Sequence, residues 1–262
     1  MIPYELLVTA VSERADLFRQ TLDSLLAQVD QQPLRVLVHE DVRPGSAPGE
    51  IAQWLLDAQA AGRIADFLHK VRTPAGGLGP AMAWGFAQAR TPLVLYSQED
   101  WLTVRPVPVA ACMALMEKHN LHHVRFNKRK TMRAKHADTP NPWHKVEVEF
   151  AGDETRQVLC VSDHWYTQLS LWRAGLVRDV LATCALKAPQ ANAFVAAVNH
   201  AMNMKFIGDP TLAMDQQQRH AKMRTYIWGP IGEPAFIKHL GSVRTTGPIV
   251  HVNEIKEMLR KP

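Results

Sequence analysis

The sequence predicts an α/β fold in which helices flank a mostly parallel β-sheet, and three observations lead to this prediction. Short apolar runs alternate with segments of helical periodicity through residues 1–105. Charged or polar residues follow three of the apolar runs directly, as they would at one edge of a parallel sheet. Residues 106–262 alternate less clearly, which predicts a less regular second half. Strands that alternate with helices form right-handed βαβ units, so we expect the strands to run parallel.

The chain opens with a strand, a helix and a second strand. Tyr4–Val11 reads YELLVTAV, a short apolar run rich in residues that favour strands. From Ala15 to Val29 apolar residues recur every three or four positions, which predicts a helix. Pro33 interrupts this pattern, and the run LRVLVHE after it predicts the second strand.

The same alternation continues for two more strands. Helical spacing over Ile51–Ala61 ends at a glycine, and Asp66–Val71 predicts the third strand. A third helix is predicted over Pro80–Ala89, because proline is tolerated in the first turn of a helix. The fourth strand is predicted at Leu93–Ser97 and leads directly into two acidic residues.

The second half contains fewer clear signals. Val107–His119 has helical spacing, and KVEVEF alternates as a half-exposed strand does. The segment VSDHWYTQLSLWRAGLVRDVL ends in a predicted helix, and a short helix is predicted near Asn253–Leu259. Without an internal repeat or a clear linker, residues 1–262 are expected to form one domain with halves 1–105 and 106–262.

Composition narrows the class of protein without identifying a function. The chain has 262 residues, of which 47% are hydrophobic and 21% charged, with a formal net charge of +5. No apolar stretch approaches the roughly 18–20 residues that span a bilayer, and we expect no transmembrane segment and no signal peptide. Three widely spaced cysteines predict reduced thiols in a cytoplasmic protein and match no zinc pattern. The positive charge favours anionic ligands or a polyanionic partner.

The stretch LYSQEDWL raises the central question of the sequence. Glu99 and Asp100 follow a buried strand and stand side by side, where their charges repel. They form either a solvated turn or a site that binds a positive group. Acidic or polar residues also follow the first strand, in Ser12–Arg14, and the second, in Glu40–Asp41. Three such strand ends favour a shared binding edge.

Four segments of the sequence carry a resemblance to a known family: LLVTAVSERADLFRQTLDSLLAQ, VLVHED, GGLGPAMAWGFAQARTPLVLYSQEDW and the late YIWGPIGEPAFIKHLG. Together they resemble the family-2-like glycosyltransferases, which have the Rossmann-related GT-A fold. The resemblance covers the first 105 residues closely and the remainder loosely, with the order and spacing of the motifs carrying it. It implies a nucleotide-sugar-binding first half and an acceptor-binding second half.

The resemblance also implies a divalent cation, Mn²⁺ or Mg²⁺, that neutralises a departing diphosphate. Asp100 is then the expected direct ligand, with Glu99 binding the ribose or a metal-bound water. His239, in KHLG near the end of the chain, is implied as a third ligand. Gln98 departs from the family, where an acid is common at this position, and the missing charge favours a weaker metal site.

Further residues are implied to contact the nucleotide-diphosphate sugar. Glu40 occupies the place of an acid that accepts a hydrogen bond from a base N–H, as uracil would offer. It is equally compatible with a turn. The other candidates lie at strand ends, before a helix or in the tail: Thr9, Ser12, Arg14, Gly79 and Arg244. For Gly79, a simple turn competes with a phosphate contact at a helix N-terminus.

The catalytic base is the least defined part of the prediction. An inverting transferase needs a carboxylate to deprotonate the acceptor hydroxyl. The stretch APQANAF, where relatives often place that acid, contains none. Asp163 is the substitute candidate, and a helix-capping role competes with it. Whether the reaction inverts or retains the anomeric centre stays open.

The basic segment Arg125–Lys135 suggests an acceptor that is a polyanion, such as modified DNA, although a solvated loop explains it as well. Two other functions remain open. A nucleic-acid-binding protein with a degenerate cleft would bind without metal or nucleotide. A sugar nucleotidyltransferase would want a glycine-rich loop after the first strand, and AVSERAD has no glycine.

Overall fold

The computed structural model of the protein describes residues 2–129, 131, 147–151, 156–162, 164–208 and 216–240. Eleven strands lie in these residues: β1 (Tyr4–Val11), β2 (Arg35–Asp41), β3 (Phe67–Arg72), β4 (Leu93–Gln98), β5 (Trp101–Thr103), β6 (His123–Arg125), β7 (Glu147–Ala151), β8 (Arg156–Val161), β9 (Ser170–Arg173), β10 (Thr225–Trp228) and β11 (Ile237–His239). The α-helices of the same residues are α1 (Ala15–Gln28), α2 (Glu50–Ala60), α3 (Leu78–Gln88), α4 (Val109–Lys118), α5 (Ala174–Lys187), α6 (Ala191–Phe206) and α7 (Gln216–Met223).

Nine of these strands form one sheet in the order β3-β2-β1-β4-β9-β6-β10-β8-β7. The first four run parallel, as the alternation of strands and helices predicted. Strand β9 is antiparallel to both β4 and β6, and so joins strands from the two halves of the chain. The remaining two strands, β5 and β11, pair in a small antiparallel ribbon. The predicted fold class, a mostly parallel sheet flanked by helices, is therefore confirmed.

Helices cover both faces of the parallel strands. Leu6 and Val8 of β1 pack in an apolar layer with α1, α2 and α4. Leu7, between them, points into a second layer with α3, α5 and α6. A strand buried on both faces reads as a continuous apolar run, which is why YELLVTAV was recognisable in the sequence. In the described part of the chain, no helix has the length and apolarity that crossing a membrane would require.

The register of the parallel strands brings three strand ends to one edge. Val11 at the end of β1 lies opposite Asp41 at the end of β2, and Thr9 lies opposite Gln98 of β4. The residues that directly follow β1 and β4 therefore meet the end of β2 at the carboxyl edge of the sheet. This edge is where parallel sheets bind ligands.

Several elements differ from the sequence-based prediction. Helix α3 begins at Leu78, two residues before the predicted start, because Gly77 adopts a positive φ of 84° directly before it. The stretch APQANAF leads into α6, which the sequence analysis did not predict. Strands β5, β9 and β11 are three or four residues long, and their pattern is too short to recognise. The helix predicted near Asn253–Leu259 lies outside the described residues.

Candidate functional site

The acid turn, Glu99 and Asp100, links the end of β4 to the start of β5. Its backbone is fixed by three hydrogen bonds from different elements. The Glu99 N–H donates to the Thr9 carbonyl at 3.1 Å, and Thr21 Oγ1 donates to the Glu99 carbonyl at 2.6 Å. The Leu240 N–H donates to the Asp100 carbonyl at 2.8 Å. Both acidic residues are buried, so a rigid turn holds two carboxylates near each other with little solvent.

Arg14 supplies a positive group between these carboxylates. Its Nη1 atom lies 3.2 Å from Glu99 Oε1 and 3.3 Å from Asp100 Oδ2. The 3₁₀ turn Ser12–Arg14, which directly follows β1, carries the guanidinium to the acid turn. Arg14 was predicted to contact the nucleotide-diphosphate sugar, and its contact with the acid turn was not predicted. The sequence signal for this contact was a basic residue shortly after the end of β1 and an acidic pair directly after the end of β4.

His239 approaches the acid turn from the far end of the described chain. Strand β11 pairs with β5 so that His239 lies opposite Trp101, and the two rings pack with centroids 4.6 Å apart. This contact places His239 Nε2 at 3.0 Å from Asp100 Oδ2. The histidine side chain is 43% exposed, whereas that of Asp100 is 9% exposed. The predicted pairing of Asp100 with a late histidine therefore has a geometric basis.

The acid turn is incompletely neutralised. Burial and the neighbouring Asp100 charge together raise the pKa of Glu99 to about 7, against the opposing effect of Arg14. Asp100 Oδ1 is buried and has no hydrogen-bond partner. A buried carboxylate oxygen without a partner is costly, which suggests that a ligand completes the site.

The donor set fits a divalent cation that shares its coordination with a ligand. Among the described residues, no group of three His, Cys, Asp or Glu side chains forms a complete metal site. A carboxylate and an imidazole are acceptable ligands for Mn²⁺. Ions bound together with a diphosphate need few protein ligands, because phosphate oxygens and waters complete the shell. The unpartnered Asp100 Oδ1, with His239 beside the other oxygen, meets that requirement.

Glu40 is held by two side chains at the end of β2. Ser12 Oγ donates to Glu40 Oε1 at 2.6 Å, and His69 Nε2 lies 2.8 Å from Glu40 Oε2. Burial raises the pKa of Glu40, but the hydrogen bonds from His69 and Ser12 outweigh it and leave the pKa below its usual value. Glu40 is thus an ionised, oriented acceptor. His69, which lies in the neighbouring strand β3, was not predicted as a site residue.

Asp41 organises the glycine-rich loop before α3. Its Oδ2 atom accepts hydrogen bonds from the N–H groups of Gly76, at 3.1 Å, and Gly77, at 2.7 Å. The Gly79 N–H donates to the Pro189 carbonyl at 3.0 Å. These three amides have protein acceptors, which favours the turn interpretation of GGLG over a phosphate cradle. Gly79 as a contact of the nucleotide stays a prediction.

Thr9 lies beneath the acid turn. Its hydroxyl shares a hydrogen bond of 2.9 Å with the Tyr96 hydroxyl, and its carbonyl accepts the Glu99 N–H. Thr9 therefore supports the turn from the neighbouring strand. A direct contact between Thr9 and a nucleotide stays a prediction.

Solved structures of glycosyltransferases match this architecture, although no protein-family model and no curated protein matches the sequence. TarS of S. aureus matches with a TM-score of 0.52 and 14% identity over 92% of this chain and 37% of its own. TarS residues 1–349 with UDP-GlcNAc match with a TM-score of 0.51 and 14% identity over 93% and 62%. The mannosyltransferase PcManGT of Pyrobaculum calidifontis, with GDP-Man and Mn²⁺, matches with a TM-score of 0.53 and 13% identity over 87% and 57%.

The protein has the GT-A fold. The chain spans less than two thirds of the length of each of these structures. At such identities the likeness concerns the fold, and it confirms the resemblance that the sequence motifs indicated.

Some of the remaining predicted site residues of the GT-A chain lie outside the residues that the structure describes. Asp163 and Arg244 both lie outside the described residues, so their roles stay predictions. In the basic segment, Arg125 is buried, with its guanidinium 3.6 Å from the Tyr166 ring centroid. It packs within the protein and does not offer its charge to a polyanion on the surface. Lys128 Nζ lies 5.3 Å from the Trp101 ring, next to the acid turn.

Proposed function

We propose that the protein is a metal-dependent glycosyltransferase that transfers a hexose or pentose from a nucleotide-diphosphate sugar to an unidentified acceptor. The observation that carries the proposal is the convergence of Asp100 and His239 at 3.0 Å, at the carboxyl edge of a GT-A sheet. Two distant parts of the chain are held together there by the pairing of β5 with β11. An acidic turn that served as a solvated loop would not require this arrangement.

Asp100 and His239 would hold a divalent cation, Mn²⁺ or Mg²⁺, which would neutralise charge on the departing diphosphate. The backbone hydrogen bonds of the acid turn fix Asp100 before the donor arrives, which reduces the reorganisation that binding requires. Arg14 would pair with a phosphate, and Glu99 would contact the ribose or a metal-bound water. The S. aureus structure with UDP-GlcNAc and the PcManGT structure with GDP-Man and Mn²⁺ support a nucleotide-sugar donor and a divalent cation.

The nucleobase would be recognised by Glu40. Ser12 and His69 orient its carboxylate, and its lowered pKa keeps it ionised and able to accept a hydrogen bond at neutral pH. Uracil presents one N–H to such an acceptor, which is why a UDP-sugar is the favoured donor.

We also propose that residues 1–262 form one domain and that the protein works in the cytoplasm. A single sheet that contains strands from both halves supports the first proposal. The second is supported by Cys112, Cys160 and Cys184, which lie in the described residues, are buried and form no disulfide bond. Asp163 as catalytic base, Arg244 at the diphosphate and a polyanionic acceptor at the basic segment Arg125–Lys135, apart from the buried Arg125, complete the hypothesis.

Thermal stability with nucleotides and Mn²⁺ tests the donor site. We expect UDP together with Mn²⁺ to stabilise the wild type by about 2.7 kcal/mol when the ligand is at 100 times its dissociation constant. Other nucleoside diphosphates should stabilise it less. The Asp100→Asn variant should lose this response, because its amide is a poor ligand for a divalent cation. Asp16→Asn, at an exposed position of α1, is the control for loss of an acid and should respond as the wild type does.

An absence of stabilisation by every nucleoside diphosphate would contradict the proposal. Salt-sensitive binding of nucleic acid without nucleotide or metal would then favour a binding protein with a degenerate cleft.

A further inference from the structure

The contact between Arg14 and the acid turn is a loose one. One nitrogen, Nη1, serves both carboxylates, at 3.2 and 3.3 Å. Charge-assisted hydrogen bonds are commonly about 2.7–2.9 Å, and the strongest arginine–carboxylate pairs use two parallel bonds to one carboxylate. Neither condition is met here. The guanidinium partly neutralises the two acids and is not locked to either of them.

The two sides of this contact differ in their freedom to move. The backbone of Glu99 and Asp100 is tied to β1, α1 and the residue after β11. Arg14 stands in a short 3₁₀ turn, on a long side chain that is 20% exposed, compared with 11% for Glu99. Any exchange of partners at this site will therefore move the arginine and leave the acids in place.

Arg14 and a divalent cation would compete for the same carboxylate. Asp100 Oδ2 faces both Arg14 Nη1 and His239 Nε2, so the guanidinium lies beside the two side chains that are proposed to hold the cation. A guanidinium and a divalent cation repel each other at close range, and burial of the acid turn strengthens that repulsion. Arg14 must move before a cation can use Asp100 fully.

We propose that Arg14 is an exchangeable counter-ion that excludes divalent cations from the acid turn until a nucleoside diphosphate draws its guanidinium away. The inference rests on the proposed donor site and adds the order in which the nucleotide and the cation bind to it. The anionic diphosphate is a better partner for a mobile guanidinium than the acid turn is. Its oxygens can accept two parallel hydrogen bonds from the guanidinium, which the acid turn does not do. Nucleotide and cation then bind with positive coupling, and each strengthens the other by the same factor.

Mn²⁺ titrations followed by electron paramagnetic resonance of the free ion test this inference without an activity assay. In the absence of nucleotide, Arg14→Gln should bind Mn²⁺ about tenfold more tightly than the wild type, within the usual range of coupling between sites. The factor by which UDP strengthens Mn²⁺ binding should be smaller in this variant. Arg19→Gln is the matched control, because it removes an arginine of the adjacent helix α1 that pairs with Glu50 on the surface. It should match the wild type in both measurements.

Three outcomes separate this inference from the proposed function. Equal Mn²⁺ affinity of Arg14→Gln and wild type, with UDP still strengthening Mn²⁺ binding, would overturn the role of Arg14 and leave the donor site standing. A gain in Mn²⁺ affinity without any response to nucleotides would overturn the nucleotide trigger and the proposed function together. No Mn²⁺ binding by any variant, with or without UDP, would overturn both.

The wild type offers a second measurement if Arg14→Gln does not fold. With ¹⁵N-labelled arginine, the side-chain resonance of Arg14 should shift when UDP and Mg²⁺ are added together. Mg²⁺ at the same concentration should leave it near its starting position. A shift to the same end point with Mg²⁺ and no nucleotide would overturn the inference.

Discussion

His239 illustrates how one residue acquires a role from its position in a ribbon. The residue opposite it in β5 is Trp101, and the tilted contact between the two rings directs Nε2 to Asp100. A lone histidine in a sequence is usually exposed or structural. Here the antiparallel register of β11 and β5 gives His239 a specific acidic partner, Asp100, in the turn after β4.

At the residue scale, we expect His239→Gln to weaken the binding of Mn²⁺ in the presence of UDP by about tenfold or more. Residues outside the ligand sphere already contribute about 10–100-fold to metal affinity in proteins, and a ligand should contribute at least as much. Titration of Mn²⁺ with UDP at saturation measures the effect. His200→Gln, on α6, should leave the affinity unchanged. Unchanged affinity in His239→Gln would remove this residue from the metal site.

Helix α3 shows how an element is positioned by its closest approach to a neighbour. Gly79, in its first turn, lies close to the first turn of α6 and to the segment before it. A Cβ atom at Gly79 would be 2.9 Å from Phe194 Cδ2 and 3.1 Å from the Pro189 carbonyl oxygen. The glycine-rich sequence thus allows the start of α3 to dock against Pro189. The same docking fixes the loop that Asp41 binds through Gly76 and Gly77.

At the element scale, Gly79→Ala should destabilise the protein by about 1–3 kcal/mol, because the added methyl group overpacks this contact. Gly175→Ala in α5 is the matched control. No atom lies within 4 Å of a Cβ built at Gly175, and alanine in a helix is favoured by up to about 1 kcal/mol. Urea unfolding of both variants measures the difference. Equal free energies of unfolding for the two variants would contradict the packing role of Gly79.

At the scale of the whole molecule, three buried histidines make stability sensitive to acid. Burial lowers the pKa of His39 and His122 to about 4 and that of His123 to about 3. Their pKa in the unfolded chain is about 6.5. Below pH 6.5 the unfolded chain therefore binds protons that the folded protein does not, and stability falls. Glu99 offsets the effect of one of the three histidines on stability. Because its pKa is raised, the folded protein binds a proton at Glu99 at a higher pH than the unfolded chain does.

We expect the free energy of unfolding to fall as the pH is lowered from 6.5 to 4. Each histidine contributes up to about 1.4 kcal/mol per pH unit. Urea unfolding between pH 7.5 and 5 measures the slope. His123→Phe places an apolar ring between Trp165 and Trp172. This variant should reduce the slope of the free energy of unfolding with pH by the contribution of one bound proton. A stability that does not change over this range would contradict the neutral state of these histidines.

The sequence was informative wherever structure depends on local pattern. The strands β1 to β4 and helices α1 to α3 were predicted within two residues at each end. Strands β1, β2 and β4 are buried and read as continuous apolar runs, which differ from the periodicity of the helices. Strands β6 and β9 are short and gain their stability from distant partners, so no local pattern marks them. The acid turn was recognised from its composition. The contact of Arg14 with it was not, because the direction of a side chain in a turn depends on the folded structure.

Strand β9 has a consequence for the order in which the chain is made. It covers the side of β4 that faces away from β1, and it comes much later in the sequence. While residues 99–169 are being synthesised, β4 is an unpaired edge in any sheet that the first half has already formed. Exposed edges of apolar strands pair readily with other chains, so this interval is when a nascent chain is most prone to aggregate. Folding assistance should matter most until β9 leaves the ribosome and closes the sheet.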